Sequence, residues 1–200
     1  MALRLEALID TVSARIIAAT EELTTLDSAI GDADHGLNMK RGFEAVLADK
    51  PKMLALPLPE ACKAIGMALV MKVGGASGPL YGTLFLTLAK ELPADPTLAD
   101  AARALKAAVD AIKARGKSEV GAKTMLDILS PVSEFLANSP PSFDAVRHFA
   151  TARAADTIPM KATRGRASFL GERSIGHMDP GSRSSEIIIH AICDVLEGRT

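Results

Sequence analysis

Tryptophan is absent from these 200 residues, tyrosine occurs once, and aromatic residues make up 4% of the chain. Strands draw on aromatic and β-branched residues, so this shortage argues against a sheet protein. The hydrophobic share of 48% is rich in Ala and Leu, which favours helix packed on helix. Cysteine is nearly missing too. Cys62 and Cys193 stand alone, without CxxC or zinc-type spacing, and read as buried thiols of a reducing cytosol rather than a disulfide. No excess of either charge exists, since the formal net charge is −1, and nothing in that balance suggests nucleic acid or a membrane surface. Long apolar runs are also lacking. MALRLEALIDTVSARI is amphipathic and charged throughout, neither a signal peptide nor a membrane span, so the expected location is cytoplasmic. Without a GxSxG elbow or an HExxH helix, acyl-transfer and zinc-hydrolase chemistries have no foothold.

What is present is helical periodicity. Leu5, Leu8, Ile9, Val12, Ile16 and Ile17 follow three-and-four spacing. The period recurs from Met39 to Ala48, Pro59 to Met71, Pro79 to Lys90, Leu98 to Arg115, Thr124 to Ala137, Phe143 to Ala155, and Ser184 to Leu196. That predicts eight helices and no strand. Pro59, Pro79, Pro131 and Pro141 suit first-turn positions, although Pro131 falls inside the sixth of these helices, where it would kink or shorten it. Asp100 and Asp144 suit early-turn acids. Neither a linker nor an internal repeat divides the chain, and 200 residues suffice for one well-buried domain, so residues 1–200 are expected to form a single unit. Short connections favour an up-and-down antiparallel arrangement.

Two segments resist the helical reading. In LDSAIGDADHGLNM (26–39), Asp27, Asp32 and Asp34 crowd between glycines beside His35. Like charges that close repel, so a cation is expected among them, and hard carboxylate oxygens suit Mg²⁺, which often shares its coordination with phosphate. Asp32 and Asp34 are two apart and share a side of an extended segment, whereas Asp27 can join them only through a turn, which Gly31 permits. The alternative is a capping loop in which Asp32 or Asp34 merely caps the next helix. An EF-hand fails: counted from Asp32, position 5 is Gly36, position 6 Leu37 and position 12 Phe43. A Walker A loop also fails, because Leu37 and Asn38 follow Gly36 where Lys and Ser/Thr are required.

The second segment is Lys161 to Arg183, where Lys161, Arg164, Arg166, Arg173 and Arg183 face Glu172 and Asp179 in a Gly- and Ser-rich loop. Such a loop suits phosphate contact or cover over a nucleotide; the alternative is a solvated basic loop. Asp179-Pro180-Gly181 is also a turn signature. Between the two segments lies GGASGPLYG (74–82), whose Ser77 and Pro79 mark a helix start near Gly78 and hence an anion site, or else a tight turn between packed helices. Among the histidines, His35 is a candidate for the site, His177 a weaker one, and His148 and His190 fall within helical patterns.

Taken in order, LDSAIGDADHGLNM, GGASGPLYGT, GAKTMLDIL and GERSIGHMDPGS resemble the nucleotide-binding L subunits of dihydroxyacetone kinase over essentially the whole chain. The resemblance implies an antiparallel eight-helix barrel with the nucleotide at one end, a fold that the helix count meets on its own. It implies Asp27, Asp32 and Asp34 as ligands of two Mg²⁺ ions bridging to the diphosphate of ADP or ATP. It further implies His35, Gly36, Leu37 and Asn38 as a nucleotide-contacting turn, with Ala76 and Ser77 near the phosphates. Gly116, Thr124 and Met125 become nucleotide-pocket positions, and Arg173, Asp179, Pro180 and Gly181 close the pocket. Leu37 departs from the small polar residue expected there; a backbone contact survives that change and a hydroxyl contact does not. The family binds its ketose covalently on a separate K subunit, so the implied partners are that subunit and, where the donor is a phosphotransferase-system protein, an M subunit. The competing functional readings are a metal-dependent nucleotide phosphohydrolase and a non-enzymatic nucleotide-sensing module docking on a regulator.

Overall fold

The computed structural model describes residues 2–138 and 141–199. Among the described residues there are nine α-helices, one 3₁₀ segment and no strand. The helices are α1 (Ala2–Ala18), α2 (Thr20–Ile30), α3 (His35–Leu54), α4 (Leu58–Lys72), α5 (Ser77–Glu91), α6 (Leu98–Gly116), α7 (Leu126–Asn138), α8 (Phe143–Ala155) and α9 (Pro180–Glu197), with the 3₁₀ segment at Arg166–Ser174. From α3 onward each α-helix packs on the next, and α9 returns to α1, which closes a ring. Cross-contacts run in opposite directions along neighbours, as antiparallel packing requires. Lys50 of α3 reaches Glu6 and Asp10 of α1, Gly82 of α5 sits against Val70 of α4, Gly116 of α6 meets Leu80 of α5, and Arg147 of α8 reaches Asp194 of α9.

The expected eight helices become nine because the first ring position holds two. α1 and α2 both lie between α3 and α9, as one rod broken at Ala19. There the Thr20 hydroxyl donates to the Ile17 carbonyl at 2.6 Å, and α3 crosses so closely that a Cβ on Gly36 would lie 2.1 Å from the Thr20 carbonyl oxygen. Sequence periodicity misses α2 because its buried stripe is Leu23, Asp27 and Ile30, with a carboxylate where an apolar residue is expected. Two further starts move for the same reason. α3 begins at His35 rather than Met39, its first buried residues being His35, Gly36 and Asn38. α9 begins at Pro180 rather than Ser184, since Ser182, Ser184, Ser185 and Glu186 are buried. α7 begins at Leu126, two residues after the expected Thr124, and carries Pro131 in its interior without ending there. Pro141 precedes the Ser142 N-cap of α8 instead of lying in the first turn.

The core draws on every position of the ring, among others Leu5, Phe43, Leu69, Leu84, Ile112, Leu129, Val146 and Ile188. Inside the ring is an apolar cavity of about 1040 Å³, in keeping with a sequence poor in large aromatic side chains. No helix among the described residues is long and apolar enough to cross a membrane. The up-and-down path sends connections 31–34, 73–76, 117–125 and 156–179 to one end of the ring, and 55–57, 92–97 and 141–142 to the other. The first end therefore gathers the N-termini of α3, α5, α7 and α9.

Candidate functional site

Asp27 occupies the last turn of α2 and is 8% exposed. Its Oδ2 accepts the backbone N–H of Asp34 at 2.8 Å and of His35 at 3.1 Å. A carboxylate from one helix thus satisfies the first donors of the next, where half a unit of positive dipole charge favours it. Asp34 holds the N-cap position of α3 yet makes no side-chain capping bond, so the capping role falls to Asp27. Oδ1 of Asp27 stays open because residue 31 is glycine: a Cβ there would lie 2.0 Å from it. One oxygen each from Asp27, Asp32 and Asp34 come within 4.8 Å of one another, an all-oxygen set that suits Mg²⁺. Ala33, between the two outer carboxylates, has φ of 60°, a left-handed conformation costing an alanine about 1–2 kcal/mol. Arg166 of the 3₁₀ segment places Nε 2.8 Å from Asp32 Oδ2 and answers part of the negative charge.

His35, the first residue of α3, ties three elements together. Its Nδ1 lies 3.0 Å from Ser77 Oγ on α5, and its Nε2 lies 2.9 Å from Ser184 Oγ on α9. Burial lowers its pKa, an effect that Asp27 and Asp34 oppose. Ser184 in turn meets the Tyr81 hydroxyl at 2.8 Å, and Ser185 meets it at 2.9 Å. Burial pushes the Tyr81 phenol up to about 12. Ala76 stands at the N-cap of α5 without a side-chain cap, which leaves the first N–H groups of that helix for an anion. Asn38 packs into the glycine turn, since a Cβ on Gly74 would come 2.6 Å from its Oδ1. Leu37 is 57% exposed beside this cluster.

Residues 116–125 and the start of α9 lie at the same end of the ring. Gly116 closes α6 before Lys117, which is left-handed at φ 48°. Thr124 gives its carbonyl to the Ser182 hydroxyl at 2.8 Å, and Gly181 packs on Met125 so that a Cβ would lie 3.5 Å from its backbone nitrogen. Asp179 is the N-cap of α9, accepting the Ser182 N–H at 2.6 Å, and Pro180 takes the first position. Burial, with help from nearby Asp127, raises the Asp179 pKa to about 7 against the hydrogen bonds from Ser182 and the charge of Lys123. Of the arginines in this stretch, Arg166 reaches the carboxylates. Arg173 is exposed and has no ion pair among the described residues.

The structure thus brings Asp27, Asp32 and Asp34 together, joins His35 to Ser77, and seats Thr124 against Ser182 and Met125 against Gly181. Sequence reasoning passed over Tyr81, Ser184, Asp127 and Lys123. Asp127 accepts the N–H groups of Gly121 and Thr124, the latter at 2.7 Å. A signal for it existed, because Thr124-x-x-Asp127 before an apolar run has the spacing of a capping box. Tyr81 and Ser184 carry no such signal; only packing reveals that they meet.

The DAK2 domain family matches residues 29–194. The ADP-binding subunit DhaL of a PEP-dependent dihydroxyacetone kinase from Listeria innocua is 44% identical over 85% of this chain and 84% of its own length. The corresponding Escherichia coli subunit is 45% identical over 82% and 83%. A triokinase/FMN cyclase of Rattus norvegicus is 32% identical over 94% of this chain, which spans only 34% of that protein. The solved dihydroxyacetone kinase of C. freundii in complex with AMP-PNP and Mg²⁺ superimposes with a TM-score of 0.78 at 23% identity, over 94% of this chain and 33% of that one. That likeness establishes the shared helical fold. The chain belongs to the DAK2-domain family, the family of the L subunits of dihydroxyacetone kinase.

Proposed function

We propose that this chain is the nucleotide-binding, phosphoryl-transfer subunit of a dihydroxyacetone-type kinase, a single cytoplasmic domain that holds ADP or ATP through two Mg²⁺ ions. The observation that carries the reading is the convergence of three carboxylates within 4.8 Å at the end of the ring where four helix N-termini gather. Asp27, Asp32 and Asp34 would hold the ions, with Asp27 offering the oxygen that Gly31 keeps open. When bound, Mg²⁺ compensates the charge of the diphosphate and of the phosphoryl group in transfer. His35, Gly36, Leu37 and Asn38, with Ala76 and Ser77 at the uncapped start of α5, form the phosphate side. Gly116, Thr124 and Met125 form the adenine side, where the Met125 side chain offers a soft apolar face. Arg173 and the Asp179-Pro180-Gly181 turn border the opening.

The acceptor is a short ketose held covalently on a separate K subunit, and this chain supplies no site for it. The relatives of higher identity are ADP-binding subunits of PEP- and PTS-dependent kinases. Their identity supports the arrangement in which ADP stays bound and a phosphotransferase-system M subunit recharges it. The test is to mix the chain with a K-type subunit and a panel of short ketoses, offering ATP and a phosphotransferase donor in separate reactions. Ketose phosphate in the phosphotransferase reaction alone is the expected result. Nucleotide hydrolysis by the isolated chain would identify a phosphohydrolase instead. Nucleotide binding without transfer to any K-type subunit would leave a sensing module.

A further inference from the structure

Lys123 is a charged residue with no place in the reading above, and it is 1% exposed. Its Nζ donates to four backbone carbonyls: His177 at 2.5 Å, Thr157 at 2.8 Å, Met160 at 3.1 Å and Ile158 at 3.4 Å. An ammonium has three N–H donors, and the three shortest contacts account for all of them. Among the described residues no carboxylate lies within ion-pair distance of Nζ, so its hydrogen bonds all go to backbone carbonyls and the Asp179 carboxylate acts on it only from beyond ion-pair range. A buried ammonium is tolerated only with that completeness of hydrogen bonding. The backbone adds a second indication. Lys123 has φ of 62°, a conformation that suits glycine, so a lysine kept there is kept for its side chain.

The carbonyls belong to two separate stretches of chain. Thr157, Ile158 and Met160 follow α8, and His177 precedes the Asp179 cap of α9. Lys123 itself lies between the Gly121 and Thr124 amides that Asp127 holds. Other links lock the same elements from outside: the Thr157 hydroxyl accepts the Asp179 N–H at 3.0 Å, and the Ala122 carbonyl accepts the Thr163 N–H at 3.2 Å. From the loop bearing Thr124 and Met125, the ammonium hydrogen-bonds to both stretches.

We infer that Lys123 is a positioning residue for the adenine side of the nucleotide site, its ammonium pinning residues 157–160 and 177 so that Thr124, Met125 and Gly181 form one wall. The inference rests on the nucleotide reading above. It also separates the two halves of the pocket, because among the described residues Lys123 makes no hydrogen bond or ion pair with Asp27, Asp32, Asp34 or the start of α5.

The experiment uses the full chain and its Lys123→Met variant, which keeps the side-chain length and removes the donors. Calorimetric affinities are measured with Mg²⁺ present for ADP and for inorganic pyrophosphate, the latter engaging only the phosphate side. ADP affinity should fall at least tenfold while pyrophosphate affinity stays within twofold. Without any ligand, amide hydrogen exchange should accelerate across 121–125, 157–160 and 177–182 and remain unchanged in α1, α3 and α4. Lys123→Arg, which restores charge and donors, should recover part of the ADP affinity. Equal ADP affinity in wild type and Lys123→Met overturns the inference, as does a parallel loss for both ligands. Loss of the helical circular dichroism signal in Lys123→Met overturns it too, since Lys123 is then a folding residue and not a local one. A wild-type chain that binds ADP no more tightly than pyrophosphate defeats the nucleotide reading itself, whatever the exchange data show.

Discussion

The two ends of the ring handle the same problem, exposed helix termini and clustered charge, in opposite ways. At the end carrying connections 55–57, 92–97 and 141–142, the starts of α6 and α8 are closed by their own sequence, while α4 begins behind Pro57 without a side-chain cap. Thr97 and Asp100 form a reciprocal capping box on α6, and Ser142 caps α8 by accepting the Ala145 N–H. Charges there are paired. Arg147 binds Asp144, Asp194 and Glu197, and Arg15 reaches the second oxygen of Asp194 at 2.6 Å. At the other end Asp179 caps α9 from its own sequence, but α5 starts without a side-chain cap, α3 is capped from a different helix, and three carboxylates share one arginine contact. Where polar groups are satisfied by one another they hold the fold; where they are left open they are the groups to which we assign the nucleotide.

The sharpest test of that contrast is Asp32→Ala or Asp34→Ala. Neither carboxylate caps a helix, so helix content by circular dichroism should be unchanged while Mg²⁺-dependent ADP binding falls by two orders of magnitude or more. Unchanged affinity in either variant would sink the metal-ligand assignment. Gly31→Ala should come next, with a loss of at least tenfold in the same titration, because its Cβ would displace the Asp27 oxygen that lies 2.0 Å away. An alanine tolerated at full affinity would show that the open oxygen of Asp27 is not used.

The far end predicts the reverse pattern. Arg147→Met strips three carboxylates of their shared partner and should lower the Tm by about 3–6 °C. ADP affinity should stay within twofold; a larger loss would mean that the two ends are coupled. The last effect concerns pH. The folded pKa of Asp179, about 7, stands above its ordinary value, so the folded chain holds this proton more tightly than the unfolded one. Its contribution to stability is complete below the ordinary carboxylate pKa and is lost as pH rises through about 7. Asp179→Asn keeps a good N-cap and should gain on the wild type in urea-unfolding midpoint between pH 4.5 and 8. Parallel profiles would show that Asp179 titrates normally.

Legibility followed the same division. Helices whose buried stripes are apolar, such as α6 with Ala104, Ala108 and Ile112, were readable from three-and-four spacing. The expected span of Leu98 to Arg115 differs from the observed one by a single residue. The errors collect at the site end. α2 was missed altogether, and α3 and α9 were each started four residues late, because their inward faces carry Asp27, His35, Asn38, Ser182 and Ser184. A polar residue facing inward defeats hydrophobic periodicity, and a binding site is where polar residues face inward. The carboxylate cluster was visible because acidic residues so close in sequence must meet in space or repel. The Lys161–Arg183 stretch reads as an open loop, yet it holds the local Asp179 cap of α9 and a 3₁₀ segment whose Arg166 reaches Asp32, far back along the chain.

By itself, then, the sequence determined the helical class, the carboxylate cluster and the glycine turn, since each depends on neighbours within a few residues. Only the tertiary structure decided that Asp27 caps α3, that His35 bridges Ser77 and Ser184, and that Lys123 is solvated by carbonyls more than thirty residues away. The physical reason is that hydrogen bonds across closing helices depend on which ends the ring brings together, and local spacing carries no record of that closure.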